Sequence, residues 1–342
     1  MIKKFKDTIT FDDVLLEPQY SDITSRGEID TSSELCEGLR FELPIISSPM
    51  DTITESHMAS TMADLGGLGI IHRYNSVETQ GALVSAAETG GRIVGAAIGI
   101  SGDYLERAKY AVDHSGAKVL CIDVAHGHHA MMQRAIGNLK DEFGDYVCVI
   151  AGNVATLEGF NDLADWGADS IRVGIGGGSI CSTRIQTGHG MPTLQSVLEC
   201  SQSDRSATLI ADGGIKTSGD IVKCLAAGAD FVLLGSLLAG TQETPGKVFY
   251  NQGRQYKAYR GMASVEAQIN WRGHAASVEG VSHVVPYKGT VEKTINELSR
   301  GIRSGLSYSG CRSIAELQTR ARFIRQTPAG QFESSTHIKS RF

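Results

Sequence analysis

The chain has 342 residues, 41% of them hydrophobic and 20% charged, with 40 glycines and a formal net charge of −6. That is enough chain for one large α/β barrel or two average globular domains. The acidic balance, without any Lys/Arg cluster, argues against nucleic-acid binding, and the lack of an apolar run of about 18 residues argues against a membrane span.

Residues 1–40 precede any strand signal. The basic start, Met1-Ile-Lys-Lys-Phe-Lys6, runs into Asp7 and Thr8 instead of an apolar stretch, so it does not read as a signal peptide. Short β-branched runs ending in Gly, Asp, Asn or His then recur at 44–48, 67–72, 92–99, 118–125, 147–153, 170–176, 208–214 and 231–236. Amphipathic stretches of helical length separate them, at 55–65, 76–89, 103–115, 129–143, 157–166, 192–203 and 217–227. Alternation of this kind predicts βαβ units around a parallel sheet. Eight units over about 200 residues predict a (β/α)8 TIM barrel, an α/β fold built by one domain over residues 1–342. A doubly wound open sheet would carry its glycine-rich turn after the first strand, whereas the glycines here cluster late. After the eighth strand, 237–290 show little regular pattern before a helix over 290–304. An insertion of that length after a barrel strand hangs over the catalytic face, so about 250–289 are expected to form a lid.

The segment Gly174-Ile-Gly-Gly-Gly-Ser179-Ile-Cys181-Ser-Thr183-Arg184 follows the sixth strand. A thiol on such a glycine loop sits near a strand's C-terminal end, where α/β barrels do their chemistry. The other cysteines stand at 36, 121, 148, 200, 224 and 311. Cys121 and Cys148 lie inside apolar runs, and Cys200 and Cys224 in helical contexts, which reads as packing. An odd total without CxxC pairs points to reduced thiols in a cytoplasmic protein, not to disulfides or a zinc site. Only Cys181 combines glycine neighbours with a hydroxyl two residues on, the setting of a nucleophile.

The loops after strands seven and eight carry Asp212-Gly213-Gly214 and Gly235-Ser236. Glycines let backbone N–H groups approach an anion, and barrels often hold a phosphate there. Ser179 can add a hydroxyl from the sixth loop. Asp212, beside those glycines, suits the paired hydroxyls of a ribose, since a carboxylate accepts two hydrogen bonds. A single Gly-Gly or Gly-Ser would read as a tight turn only. Converging, they predict a nucleoside monophosphate as ligand.

With these motifs the chain resembles the IMP dehydrogenase/GMP reductase family nearly end to end. The resemblance rests on Thr10–Pro18, Ser48–Thr52, Gly67–His72, Asp123–Gly127, Ala151–Val154, Gly174–Arg184, Ile210–Gly214, Leu234–Ser236, Tyr259–Met262 and Pro286–Gly289. It implies that Cys181 attacks purine C2, assisted by Thr183. It implies phosphate contacts from Ser179, Gly213, Gly214, Gly235, Ser236 and Tyr259, a ribose contact from Asp212 and a base contact from Met262. Asp123, Asn153, Arg172 and Gly174 match positions lining the nicotinamide cofactor site. The carbonyls of Gly176, Gly178 and Cys181 match a monovalent-cation (K+) loop of the dehydrogenases. The family also implies a homotetramer.

Two departures bear on the direction of the reaction. Most dehydrogenases of the family insert paired CBS modules, for which His72-Arg-Tyr-Asn75 to Arg92 leaves no room. Their lid carries an adjacent Arg-Tyr pair whose arginine activates water, and 261–281 contain none; Tyr259-Arg260 belongs to another motif. Reductases have a short lid and a glutamate just after Gly-Met-x-Ser, and Glu266 lies one residue past that place. Glu266 is therefore the expected acid, with an exposed lid charge as its plain reading and Arg272 as a competing replacement for the missing arginine. On the other side, Asp123-Val-Ala-His126-Gly127 and Pro328-Ala-Gly-Gln-Phe-Glu-Ser334 look more like dehydrogenases. The expected activity is GMP reductase, turning GMP and NADPH into IMP, ammonia and NADP+. IMP dehydrogenase, with NAD+ and water giving XMP, is the alternative. A non-catalytic nucleotide sensor is a third reading, against which Cys181, Thr183 and Asp212 together favour an enzyme.

Overall fold

Eight short, fully hydrogen-bonded strands close on themselves. They are β1 (Ile45–Ser47), β2 (Leu68–Ile71), β3 (Gly95–Ile98), β4 (Val119–Asp123), β5 (Cys148–Val154), β6 (Ser170–Val173), β7 (Thr208–Asp212) and β8 (Phe231–Leu234), and all pair in parallel. Closure is made by β8 against β1, with Val232 opposite Ile45. The computed structural model describes residues 5–334; Met1–Lys4 of the basic start and residues 335–342 lie outside the described residues. The (β/α)8 barrel is the fold expected from the strand and helix alternation.

The strands form because their β-branched and aliphatic side chains pack on both faces. One face fills the barrel with Ile46, Leu68, Ile70, Val119, Ile150, Ile210 and Phe231, and the other meets the helices. Cys121 and Cys148 belong to this inner core, and Cys200 and Cys224 are buried under the helices. The helices start at polar caps: Ser76, Thr156 and Thr217 each accept a backbone N–H of the first turn of α2 (Val77–Glu88), α5 (Leu157–Asp165) and α8 (Ser218–Ala226). The stretch expected as one helix over 103–115 is instead a short α-helix, Tyr104–Lys109, running into a π-turn over Tyr110–His114. The helix that follows the lid, Val291–Tyr308, buries Val291, Ile295, Leu298, Ile302 and Leu306 at helical spacing, and Glu243 accepts its first N–H at 2.7 Å.

The barrel floor is stoppered by the N-terminal hairpin Ser33–Cys36/Leu39–Phe41. Its Leu35 carbonyl accepts from Ser170 Oγ (2.6 Å) and Thr208 Oγ1 (2.8 Å). At the opposite end, the insertion that showed little pattern in the sequence is ordered. It forms an antiparallel sheet of β9 (Phe249–Asn251), β10 (Arg254–Arg260) and β11 (Ser282–Pro286), with helix α9 (Val265–Arg272) between the last two. Alternation is weak there because most of these residues face solvent on both sides, so no apolar period marks the strands. Among the described residues, no helix is long and apolar enough to cross a membrane, and no group of three or more His, Cys, Asp or Glu is placed to hold a metal.

Candidate active site

The site starts from strand register. Asp123 lies opposite Gly152, Gly152 opposite Arg172, and Arg172 opposite Ile210, so β4 to β7 deliver polar residues to one level at their C-terminal ends. There Arg172, only 5% exposed, bridges two carboxylates: Nη1 donates to Asp123 Oδ1 (2.6 Å) and Nη2 to Asp212 Oδ2 (2.8 Å). Burial works against the guanidinium charge, but Asp212 and Asp123 outweigh it and hold Arg172 protonated. Asn153 Nδ2 completes the network, donating to Asp212 Oδ2 (2.7 Å) and to the Gly174 carbonyl (2.8 Å). The Arg172 and Asn153 bonds both take Asp212 Oδ2, and Asp212 lines the cavity.

The cysteine loop turns sharply as the Cys181 N–H donates to the Gly178 carbonyl (3.1 Å), leaving the thiol exposed. Cys181 Sγ lies 3.2 Å from Thr183 Oγ1, and that hydroxyl donates to Glu279 Oε2 at 2.6 Å. Glu279 arrives on the lid's return path. Ser182 N–H donates to the Glu279 carbonyl (2.9 Å), Cys181 bridges Gly280, and Val281 N–H donates to the Ile180 carbonyl (3.1 Å). Gly280 suits this crossing because a Cβ there would lie 3.1 Å from the Ser264 nitrogen. Thiol, hydroxyl and carboxylate thus form a continuous path for a proton.

The opposite wall of the site gathers three loops and one lid strand. Tyr259, from β10, places its hydroxyl 3.4 Å from Ser179 Oγ, and a Cβ on Gly235 would lie 3.2 Å from that hydroxyl. Burial pushes the Tyr259 phenol up, so it serves there as a neutral hydrogen-bonding group. Met262 lies over the Ser48–Thr52 loop, its sulfur accepting the Asp51 N–H (3.2 Å), and Arg260 binds the Asp51 carboxylate with Nη2 at 2.6 Å.

These groups line one cavity of about 440 Å³, the size of a small-ligand site. It brings together Cys181, Thr183, Ser179, Asp212, Gly213, Gly214, Gly235, Ser236, Tyr259, Met262, Asp123, Asn153, Arg172 and Gly174. Glu266 is not among its walls. It sits exposed in the first turn of α9, where the Ser282 hydroxyl, donating at 2.7 Å, holds the carboxyl below the usual range. Arg272 is also absent from the walls, its guanidinium engaged by Gln268 and by the His274 and Ala276 carbonyls. Among the polar and aromatic wall residues, Glu279, Arg73 and Tyr74 are given no role by the sequence. Glu279-Gly280 could have been found as an acid–glycine pair a few residues before the Pro286–Gly289 motif.

The residues fit a nicotinamide ring beside Cys181. Asn153 Oδ1 is buried without a partner, an acceptor of the kind that a carboxamide N–H satisfies. In the loop matched to a monovalent-cation site, Gly176 and Gly178 also line the cavity. The Gly178 carbonyl is already engaged by Cys181 N–H, and the Arg184 side chain packs on Gly176.

Comparison with known proteins agrees with this arrangement. The family model for the IMP dehydrogenase / GMP reductase domain matches residues 8–337. An inosine-5'-monophosphate dehydrogenase from Nitrosopumilus maritimus is 34% identical, covering 98% of this chain and 99% of its own. That alignment runs over 472 positions against 342 residues here, so at least 130 positions of the relative face no residue of this chain. A GMP reductase from Leishmania major is 33% identical, with 96% of each chain covered. The solved structure of a cysteine-to-alanine GMP reductase variant from Trypanosoma brucei, in complex with guanosine 5'-monophosphate, superposes with a TM-score of 0.93. It is 31% identical, covering 98% of this chain and 99% of that one. An exposed cysteine on a glycine loop, glycine turns and a polar layer at the strand ends, together with a match over nearly the whole length, make this chain a member of the IMP dehydrogenase/GMP reductase family of NAD(P)-dependent oxidoreductases.

Proposed function

We propose that the chain is a GMP reductase, converting GMP and NADPH to IMP, ammonia and NADP+. One observation carries this reading: no lid arginine lines the cavity to activate a water, while the Cys181 thiol, the Thr183 hydroxyl and Glu279 stand in line. The phosphate is held by the Ser179, Gly213–Gly214 and Gly235–Ser236 loops with Tyr259, the ribose by Asp212, and the base lies against Met262. C2 then sits over Cys181.

The Cys181 proton moves through Thr183 to Glu279, and the thiolate attacks C2. The same proton returns through Thr183 to the C2 amino group, which leaves as ammonia, since amide ion is too poor a leaving group. The C–S bond forms, the C–N bond breaks, and a thioimidate remains on Cys181. When bound, the reduced dinucleotide supplies the hydride that replaces C–S by C–H. Cys181 departs as a thiolate and takes up a proton. Asp123, Asn153, Arg172 and Gly174 would hold the nicotinamide end, and Arg172 keeps Asp212 and Asp123 fixed through both steps. No step uses the cation loop.

The similarity to GMP reductases from Leishmania major and Trypanosoma brucei supports the reading, the latter binding guanosine 5'-monophosphate. In this reading the whole chain acts as one catalytic domain, residues of about 250–289 are its lid, and the enzyme is a cytoplasmic homotetramer. IMP dehydrogenation is the second reading, favoured by the Thr183–Glu279 pair itself, which can take a proton from water as well as give one to an amine. Purified protein offered GMP with NADPH, and separately IMP with NAD+, tests the choice. Loss of reduced cofactor with stoichiometric ammonia is expected; brisk XMP formation without GMP turnover overturns the reductase reading.

A further inference from the structure

Residues 272–277 of the lid are all exposed; the stretch that delivers Glu279 is tied back to α9 where Gln268 Oε1 accepts the Ala276 N–H (2.9 Å), and it is held at its two ends. At the far end, Glu279–Val281 lie along Ile180–Ser182. At the near end, Trp271 in the last turn of α9 stacks on Tyr74, ring centroids 4.2 Å apart and planes 15° from parallel. Tyr74 stands on the loop after β2 and lines the catalytic cavity. Neighbouring Arg73 sets its guanidinium 5.3 Å from the indole and 5.6 Å from the phenol, while Nη2 donates to the Asp123 carbonyl (3.2 Å). Among the described residues no carboxylate pairs with Arg73 within 4 Å, so the Asp123 carbonyl and the two rings hold its charge. A lesser tie runs through Asn270, whose amide oxygen can accept from Arg260 Nη1 at 2.8 Å.

We propose that Trp271 is a positioning residue of the reaction: its stack on Tyr74 and Arg73 latches the lid helix to the barrel rim and so holds Glu279 against Thr183. The idea rests on the role given to Glu279 above, but the latch itself can be observed without turnover. Fixing one end of a short exposed segment raises the effective concentration of its other end at the target. An aromatic stack joined by a cation–π contact is worth roughly tenfold in the ratio of closed to open lid. The stack is geometric and apolar, so a phenylalanine at 271 preserves much of it and an alanine removes it.

The test uses the full chain. Trp271→Ala is expected to lower kcat for GMP deamination about tenfold, with KM for GMP changed less than twofold. Trp271→Phe is expected to restore at least half of the loss, and Trp271→Ala added to Glu279→Gln to cost little more than Glu279→Gln alone. Independently of turnover, iodoacetamide should alkylate Cys181 several-fold faster in Trp271→Ala, because the strand lying along the cysteine loop is released. In a Trp166→Phe background, indole fluorescence reports residue 271 alone and should change when GMP is added. Unchanged kcat and unchanged Cys181 alkylation in Trp271→Ala overturn the latch. So does a rise in KM together with a lower melting temperature, which marks general loosening. If the wild type itself fails to deaminate GMP, the reductase reading falls and the latch stands or falls on alkylation and fluorescence.

Discussion

The Thr183 hydroxyl donates a 2.6 Å hydrogen bond to the carboxylate of Glu279, 96 residues further along the chain. This contact sets a carboxylate behind the Cys181 thiol through the Thr183 hydroxyl, where the proposed reaction needs a proton store. Replacing Glu279 by Gln keeps the shape but removes the proton store. GMP deamination should fall by about 10²–10⁴-fold, the usual worth of a positioned general acid. Glu266→Gln and Arg272→Ala should stay within about threefold of wild type, since neither side chain reaches the cavity. Ammonia release and cofactor absorbance, measured for all three variants, check the ranking; a silent Glu279 variant sinks the proton path.

Cys181→Ala should abolish turnover while GMP still binds, because the phosphate and ribose contacts lie on other loops. Calorimetric titration with GMP beside a turnover assay checks both halves. Mass mapping after brief iodoacetamide treatment should find label at Cys181 and, more slowly, at half-buried Cys36, whose thiol is lowered mainly by a hydrogen bond with Cys148. Burial pushes Cys121 to about 11 and Cys200 to about 12, and raises Cys224 and Cys311, so these should stay unlabelled. GMP should protect Cys181 but not Cys36.

Arg172→Met leaves Asp123 and Asp212 facing each other without their shared cation. Breaking a buried pair in this way costs about 3–5 kcal/mol. Urea unfolding should show that loss, and KM for GMP should rise because Asp212 is no longer held. A variant as stable as wild type would mean that water already screens the layer.

Asp230 offers a test of pH linkage far from the site. Burial holds its carboxyl above the usual range, against hydrogen bonds from the Leu209 N–H and Gln318. The folded chain therefore binds this proton more tightly than the unfolded chain. Its contribution is fully present below the unfolded value, about 3.9, and is lost as pH rises through the raised folded value. Between acid and neutral pH, the stability of wild type relative to Asp230→Asn should fall. Urea midpoints for both proteins across that range decide it, and a flat difference would show that the hydrogen bonds cancel the burial.

The barrel was legible because buried parallel strands need β-branched runs, and helices between them need amphipathic periods; both leave local marks in the chain. Cys181 was legible for a related reason: a thiol among glycines two residues before a hydroxyl stands out in one dimension. The same holds for Asp212 beside Gly213 and Gly214. The lid's place after the eighth strand was legible, but its internal structure was not. Its strands expose most side chains, so no period of two marks them, and its acid is chosen by a crossing between 180–182 and 279–281 rather than by distance from Gly261-Met262. Counting along the chain led to Glu266, which the first turn of α9 directs to Ser282. By itself the sequence determined the barrel and singled out Cys181, Asp212 and the glycine loops at 213–214 and 235–236, because each depends on residues close together in the chain. Only the tertiary structure decided which carboxylate meets Thr183 and what holds the lid down. Those depend on backbone pairing and ring stacking between segments that no local pattern connects.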